Sequence, residues 1–168
     1  MPDVNAVLAA NREAVNELIA AAERSGAAWM TPRAPGKWSP SQIVEHVARA
    51  LEESAKVVSG APSKFPTLPR FLRPVARALF FNRVLKNNTF PKAKTNHAFD
   101  PASGPATPAQ GGVRLGAALG RFDQACRARA AGGQPVESTI FGTVSLEGYA
   151  RFQELHTRHH RQHVAGAP

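Results

Sequence analysis

Cysteine is almost missing from this chain: Cys126 stands alone among 168 residues. A lone cysteine excludes an internal disulfide and any CxxC redox or metal pair. It sits among helix formers and reads as a small core residue rather than a nucleophile. Long apolar runs are missing too, and none approaches the roughly 20 residues that cross a bilayer. The first residues lack a basic stretch leading into an apolar core, so no secretory signal is expected and the cytoplasm is the expected compartment. Glycine-rich phosphate loops, internal repeats and a βαβ pattern are absent. Acidic residues are missing between Ser54 and Phe99, whereas eight basic ones fall between Lys64 and Lys94.

What is present suits one domain, residues 1–168, with 43% hydrophobic and 20% charged residues. The net charge of +9 permits affinity for anionic partners without requiring it. Val7, Leu8, Val15, Leu18 and Ile19 recur at helical spacing, so a first helix is expected from Val4 to about Arg24, stopped near Ser25-Gly26. Ser39-Pro40-Ser41-Gln42 reads as a capping box with proline at the first helical position. Trp38 precedes the cap as a hydrophobic staple on Ile43, and a second helix runs to about Ser59, before Gly60. Its stripe carries Ile43, Val47, Ala50, Leu51, Ser54 and Val57, with His46 at the border. Thr107-Pro108-Ala109-Gln110 repeats the start signal, and a third helix is expected to reach Ala131 before Gly132-Gly133. Gln134 to Val144 reads as a connection, and Ser145 caps a last helix.

Residues from about 60 to 106 form a long basic insert. Within it a helix is expected between Leu68 and Lys86, starting near Leu72 or Arg73 because of Pro74. Phe71, Leu72, Val75, Leu79, Phe80 and Val84 would share its apolar side, and Phe71, Phe80 and Phe81 could form a homodimer surface. The remainder, with His97, reads as loop. Four principal helices with a long second connection describe an all-α four-helix bundle.

The last helix is unusual. His156, His159, His160 and His163 fall within eight residues. At about 100° per residue, His156, His160 and His163 share a face with Tyr149 and Phe152, while Arg151, Glu154, Arg158 and Arg161 project opposite. Imidazoles on an inward face need a hydrogen-bond partner or a metal. Two histidines four residues apart can share one ion.

Trp38-Ser39-Pro40-Ser41-Gln42-Ile43-Val44-Glu45-His46, together with His156-Thr157-Arg158-His159-His160-Arg161-Gln162, resembles the DinB/YfiT-like superfamily of four-helix bundles, in an uncharacterised branch. The resemblance implies a divalent metal, nickel or zinc, held by His46, His156 and His160, with an open position. His159 aligns with a residue that family does not use as a ligand, and His163 stands as a further candidate. Glu53 projects to within about 20° of His46 on the helix and is the candidate general base. Gln42, one turn before His46, is the candidate to orient its ring or touch a ligand. Asp100 and Asp123 are candidate supporting partners.

Three readings follow. The first is a metal-dependent enzyme acting on a small molecule, either a hydrolase or a transferase of a low-molecular-weight thiol. The second is a non-catalytic metal-binding stress-response bundle. The third, ranked last, is a basic module for nucleic acid or a membrane surface, because no aromatic residues interleave with the basic ones in a nucleic-acid fold.

Overall fold

The fold is built by helix starts that the chain writes locally. A computed structural model describes residues 3–91 and 99–164. Helix α1 spans Val4–Arg24, with Asp3 accepting from the Asn5 backbone N–H. Helix α2 spans Pro40–Ser59, where the Ser39 hydroxyl and the Gln42 carboxamide close the expected capping box. Gly60, at φ 80°, ends α2 in the left-handed conformation that glycine adopts without a Cβ penalty.

The insert contains short helix α3, Arg73–Ala76, a π-helical turn at Arg77–Phe81 and helix α4, Asn82–Asn87. Helix α5, Pro108–Ala131, starts at Thr107, and α6, Leu146–Arg161, starts at Ser145, each cap accepting from the backbone N–H three residues on. Strands β1, Val136–Ser138, and β2, Gly142–Val144, pair antiparallel with Ser138 opposite Gly142. The expectation of an all-α chain is therefore amended to a mostly helical chain with a small hairpin. Val136 and Val144 bury their side chains, and the β-branched residues around the Ile140–Gly142 turn favour a pleated backbone over a helix.

Helix α2 packs along α5, and α1 packs along both α6 and α5. Phe122, Leu8, Leu18, Leu51, Leu115 and Val47 are fully buried where these helices meet. At about 1.5–3 kcal/mol per large apolar side chain, this core supplies the main driving force for docking them. Polar ties fix the pairings. Asn11 donates to the carbonyls of Val7 and Ala150, at 3.0 and 2.9 Å, linking α1 to α6. Arg114 on α5 reaches both Glu45 and Glu52 on α2, at 3.0 and 2.7 Å, and Arg121 also meets Glu52. The Arg158 guanidinium meets Glu154 on its own helix and Glu17 and Glu13 on α1.

The apolar side of the insert differs from the expected one. Phe71, Val75 and Leu79 are exposed, whereas Phe81 and Val84 are buried and Phe80 packs against the core. The π turn adds a residue to the helical repeat, so one straight stripe cannot persist through it. Phe80 and Phe81 face α6 and the hairpin, contacting Phe152 and Phe141. Of the three phenylalanines expected on a dimer surface, only Phe71 is on the outside. Among the described residues, no helix is long and apolar enough to cross a membrane.

Candidate metal centre and its cavity

Helix α2 delivers His46 into the interior, 4% exposed, opposite the C-terminal half of α6. Nδ1 of His46 lies 2.9 Å from the carbonyl oxygen of Phe99. A carbonyl oxygen can only accept, so Nδ1 carries the proton and Nε2 presents its lone pair. That lone pair faces His156 Nε2 at 3.3 Å, and His160 Nε2 lies 3.1 Å from the same atom. One ligand nitrogen from each of His46, His156 and His160 falls within 4.8 Å of the others. Two nitrogens sharing a tetrahedral ion at 2.0–2.1 Å stand about 3.3–3.4 Å apart. The three imidazoles thus fit a divalent ion both by spacing and by ligand type.

Electrostatics agrees with that fit. Burial is the main cause that lowers the pKa of His46, outweighing the opposing Phe99 bond. Burial, followed by the neighbouring imidazoles, holds His156 and His160 well below the ordinary histidine range. Neutral rings keep their lone pairs available, which metal binding requires.

Residues 99–105, the last part of the insert, form a strap on the start of α2. Phe99 holds His46, Asp100 accepts from the Trp38 indole at 3.1 Å, and the Pro101 carbonyl accepts from Gln42 at 3.0 Å. The Pro105 carbonyl accepts from both Trp29 and Ser41, at 2.8 and 2.7 Å. Trp38 in turn lies over His46, with ring centroids 4.7 Å apart.

Two expected roles change as a result. Gln42 does not orient His46: its Oε1 accepts from the Ser39 N–H, and its Nε2 holds Pro101. Glu53 is not placed as a general base. Its carboxylate is buried, accepts from Lys56 Nζ at 2.6 Å and from the Lys64 backbone N–H at 2.7 Å, and does not line the histidine cavity. A buried carboxylate needs such partners, and here they pin the start of the insert to α2. Asp123 pairs with Arg127 and Arg12, away from the histidines. His163 follows the end of α6, its ring 4.9 Å from that of His159 and 6.4 Å from that of His160, outside the converging set of three. His97 lies outside the described residues.

A cavity of about 290 Å³ opens beside the three imidazoles, and all of them line it. Its walls include Phe65, Phe80, Phe90, Phe99, Phe141 and Phe152. Sequence reasoning missed the Phe99 carbonyl and Gln153. A main-chain acceptor has no side-chain signature. Gln153, however, was visible as a polar residue one turn before His156 on the inward face.

Residues 8–167 match a family model described as a protein of unknown function, DUF1569. The chain belongs to that family. No curated protein and no solved structure matches the chain. In this DUF1569 member His46 and His156 stand 110 residues apart in sequence, so the centre exists only when α2 and α6 dock.

Proposed function

We propose that this DUF1569 protein is a divalent-metal-dependent enzyme whose ion, nickel or zinc, is held by His46, His156 and His160. The observation that carries the reading is the convergence of three neutral imidazole nitrogens within 4.8 Å at the wall of a cavity. We further assign its four long helices to a DinB-like four-helix bundle, which the capped α2 motif and the histidine-rich α6 support. A bound ion supplies Lewis acidity toward a carbonyl, a water or a thiol.

The chain's own part is positional. The Phe99 carbonyl keeps the Nδ1 proton on His46, so Nε2 remains a donor of electrons. Trp38 covers that ring on one side. Aromatic walls exclude water around a small molecule, which strengthens each electrostatic contact inside. The reaction classes that suit three imidazoles and an open cavity are hydrolysis and transfer of a low-molecular-weight thiol to an electrophile.

The test compares metal-loaded and metal-free protein on neutral aryl esters, and on a thiol paired with an aryl halide. Turnover that needs metal and disappears in His156→Ala is the expected result. The convergence of α2 and α6 on one site also favours a second reading, in which the ion only ties these helices together. A melting temperature raised by metal, with no turnover of either substrate class, would establish that second reading instead.

A further inference from the structure

The cavity beside the histidines has a composition that restricts what enters it. Six of the chain's nine phenylalanines line it, and among the described residues no lysine, arginine, aspartate or glutamate does. The chain as a whole carries a net charge of +9. In the metal-free chain a charged body placed there would lose its hydration without gaining an opposite charge from a described side chain.

Besides Tyr149 and the histidines, α6 presents one further polar side chain to the cavity. Gln153 is 4% exposed and faces the cavity one turn before His156. Among the described residues, no protein group hydrogen-bonds its carboxamide. Besides its helical backbone bonds, Gln153 accepts at its backbone carbonyl from the Thr157 hydroxyl at 3.1 Å. Its carboxamide is not among the side-chain atoms sealed without a partner, so it opens to the cavity, where a ligand or water completes its hydrogen bonds. Ser138 offers a weaker handle, because its oxygen already accepts from the N–H groups of Ile140 and Phe141.

We infer that the cavity binds a neutral, ring-bearing small molecule of about bicyclic size, with one carbonyl or amide group held by Gln153. The size follows from the volume: about 290 Å³ is roughly twice the cavity of about 150 Å³ that accepts benzene. Its rings pack among Phe80, Phe90, Phe141 and Phe152, which already contact one another edge to face, tilted or stacked. Gln153 is then a specificity-determining residue, since its carboxamide both donates to a carbonyl and accepts from an N–H. The inference rests on the metal-dependent reading only for the reactive end of the substrate. The binding class itself depends on the chain's own walls. Without the ion the described walls offer an anion no partner, so a thiolate is drawn only to the imidazole end, where a bound ion would meet it.

The test titrates the full chain, with and without prior chelation of metal, against three probes: 2-naphthamide, naphthalene and 2-naphthoate. In metal-free protein, 2-naphthamide is expected to bind at least tenfold more tightly than 2-naphthoate. Gln153→Met should weaken 2-naphthamide by about tenfold and leave naphthalene within about twofold, because only the amide loses a hydrogen bond. A second measurement needs no variant: the side-chain carboxamide resonances of Gln153 should shift when 2-naphthamide, but not naphthalene, is added. Absence of 2-naphthamide binding, equal binding of all three probes, or unmoved Gln153 resonances would each overturn the inference. Metal binding without probe binding rejects the substrate class and leaves the metal reading standing. Probe binding without metal binding does the reverse.

Discussion

Gly104 lies against the backbone of Ser41 so closely that a Cβ added there would overlap the Ser41 carbonyl and stand 2.5 Å from its hydroxyl. Ser41 is in the first turn of α2, five residues before His46, and Gly104 is five residues after Phe99. The strap that fixes the His46 tautomer is thus seated by a position with no room for a side chain. Gly104→Ala should cost about 1–3 kcal/mol in urea unfolding. It should also weaken metal binding by about tenfold, the usual effect of disturbing a group that orients a ligand. Unchanged metal affinity in a destabilised variant would show that the strap does not support the ligand.

The ties between α2 and α5 give a second expectation. Arg114 is partly exposed, so its contacts with Glu45 and Glu52 are screened by solvent despite their short distances. Arg114→Met should lower stability by about 1 kcal/mol at low salt, and by less in molar salt. A loss independent of salt would point to packing of the arginine stem instead.

Much of this architecture is written locally in the chain. The capping residues Ser39, Thr107 and Ser145 act on N–H groups three residues away, so the starts of α2, α5 and α6 are as expected. His46, His156 and His160 converge as the motif resemblance implies, because each sits on the inward face of a regular helix. The features that depart from expectation depend on partners distant in sequence or on irregular backbone. Phe99 reaches His46 across 53 residues through a main-chain atom. Glu53 shares a helix face with His46, yet Lys56 and the Lys64 N–H determine what its carboxylate does. The π turn at Arg77–Phe81 rotates Phe80 and Phe81 inward, which no straight helical projection predicts.

Cys126 supplies a chemical probe of the core. It is fully buried, and burial, reinforced by the nearby Asp123 carboxylate, pushes its thiol up to about 12. A thiol-specific disulfide reagent should therefore fail to label native protein near pH 8 and should label it fully after denaturation. Rapid labelling of the native state would mean that α5 opens readily.

Acid should destabilise the metal-free protein in a defined window. His46, His156, His159 and His160 all have folded pKa values below the ordinary 6.5, chiefly through burial. Below 6.5 the unfolded chain takes up protons that the folded chain refuses, so stability falls with pH until the folded values are reached. Each such group contributes at most about 1.4 kcal/mol per pH unit. The urea midpoint should drop between about pH 7 and pH 5.5, and the drop should shrink in His156→Leu. A midpoint that stays level over that range would contradict neutral, buried imidazoles.

The most direct measurement is calorimetric titration of the tag-free, chelated protein with zinc and with nickel, alongside His46→Ala, His156→Ala, His160→Ala and His163→Ala. The account predicts one ion per chain in the parent and in His163→Ala. Each of the other three substitutions should weaken binding by at least a hundredfold, since each removes one of three ligands. Binding of less than about a tenth of an equivalent by the parent, or unchanged affinity in His46→Ala, would contradict a shared ion between α2 and α6.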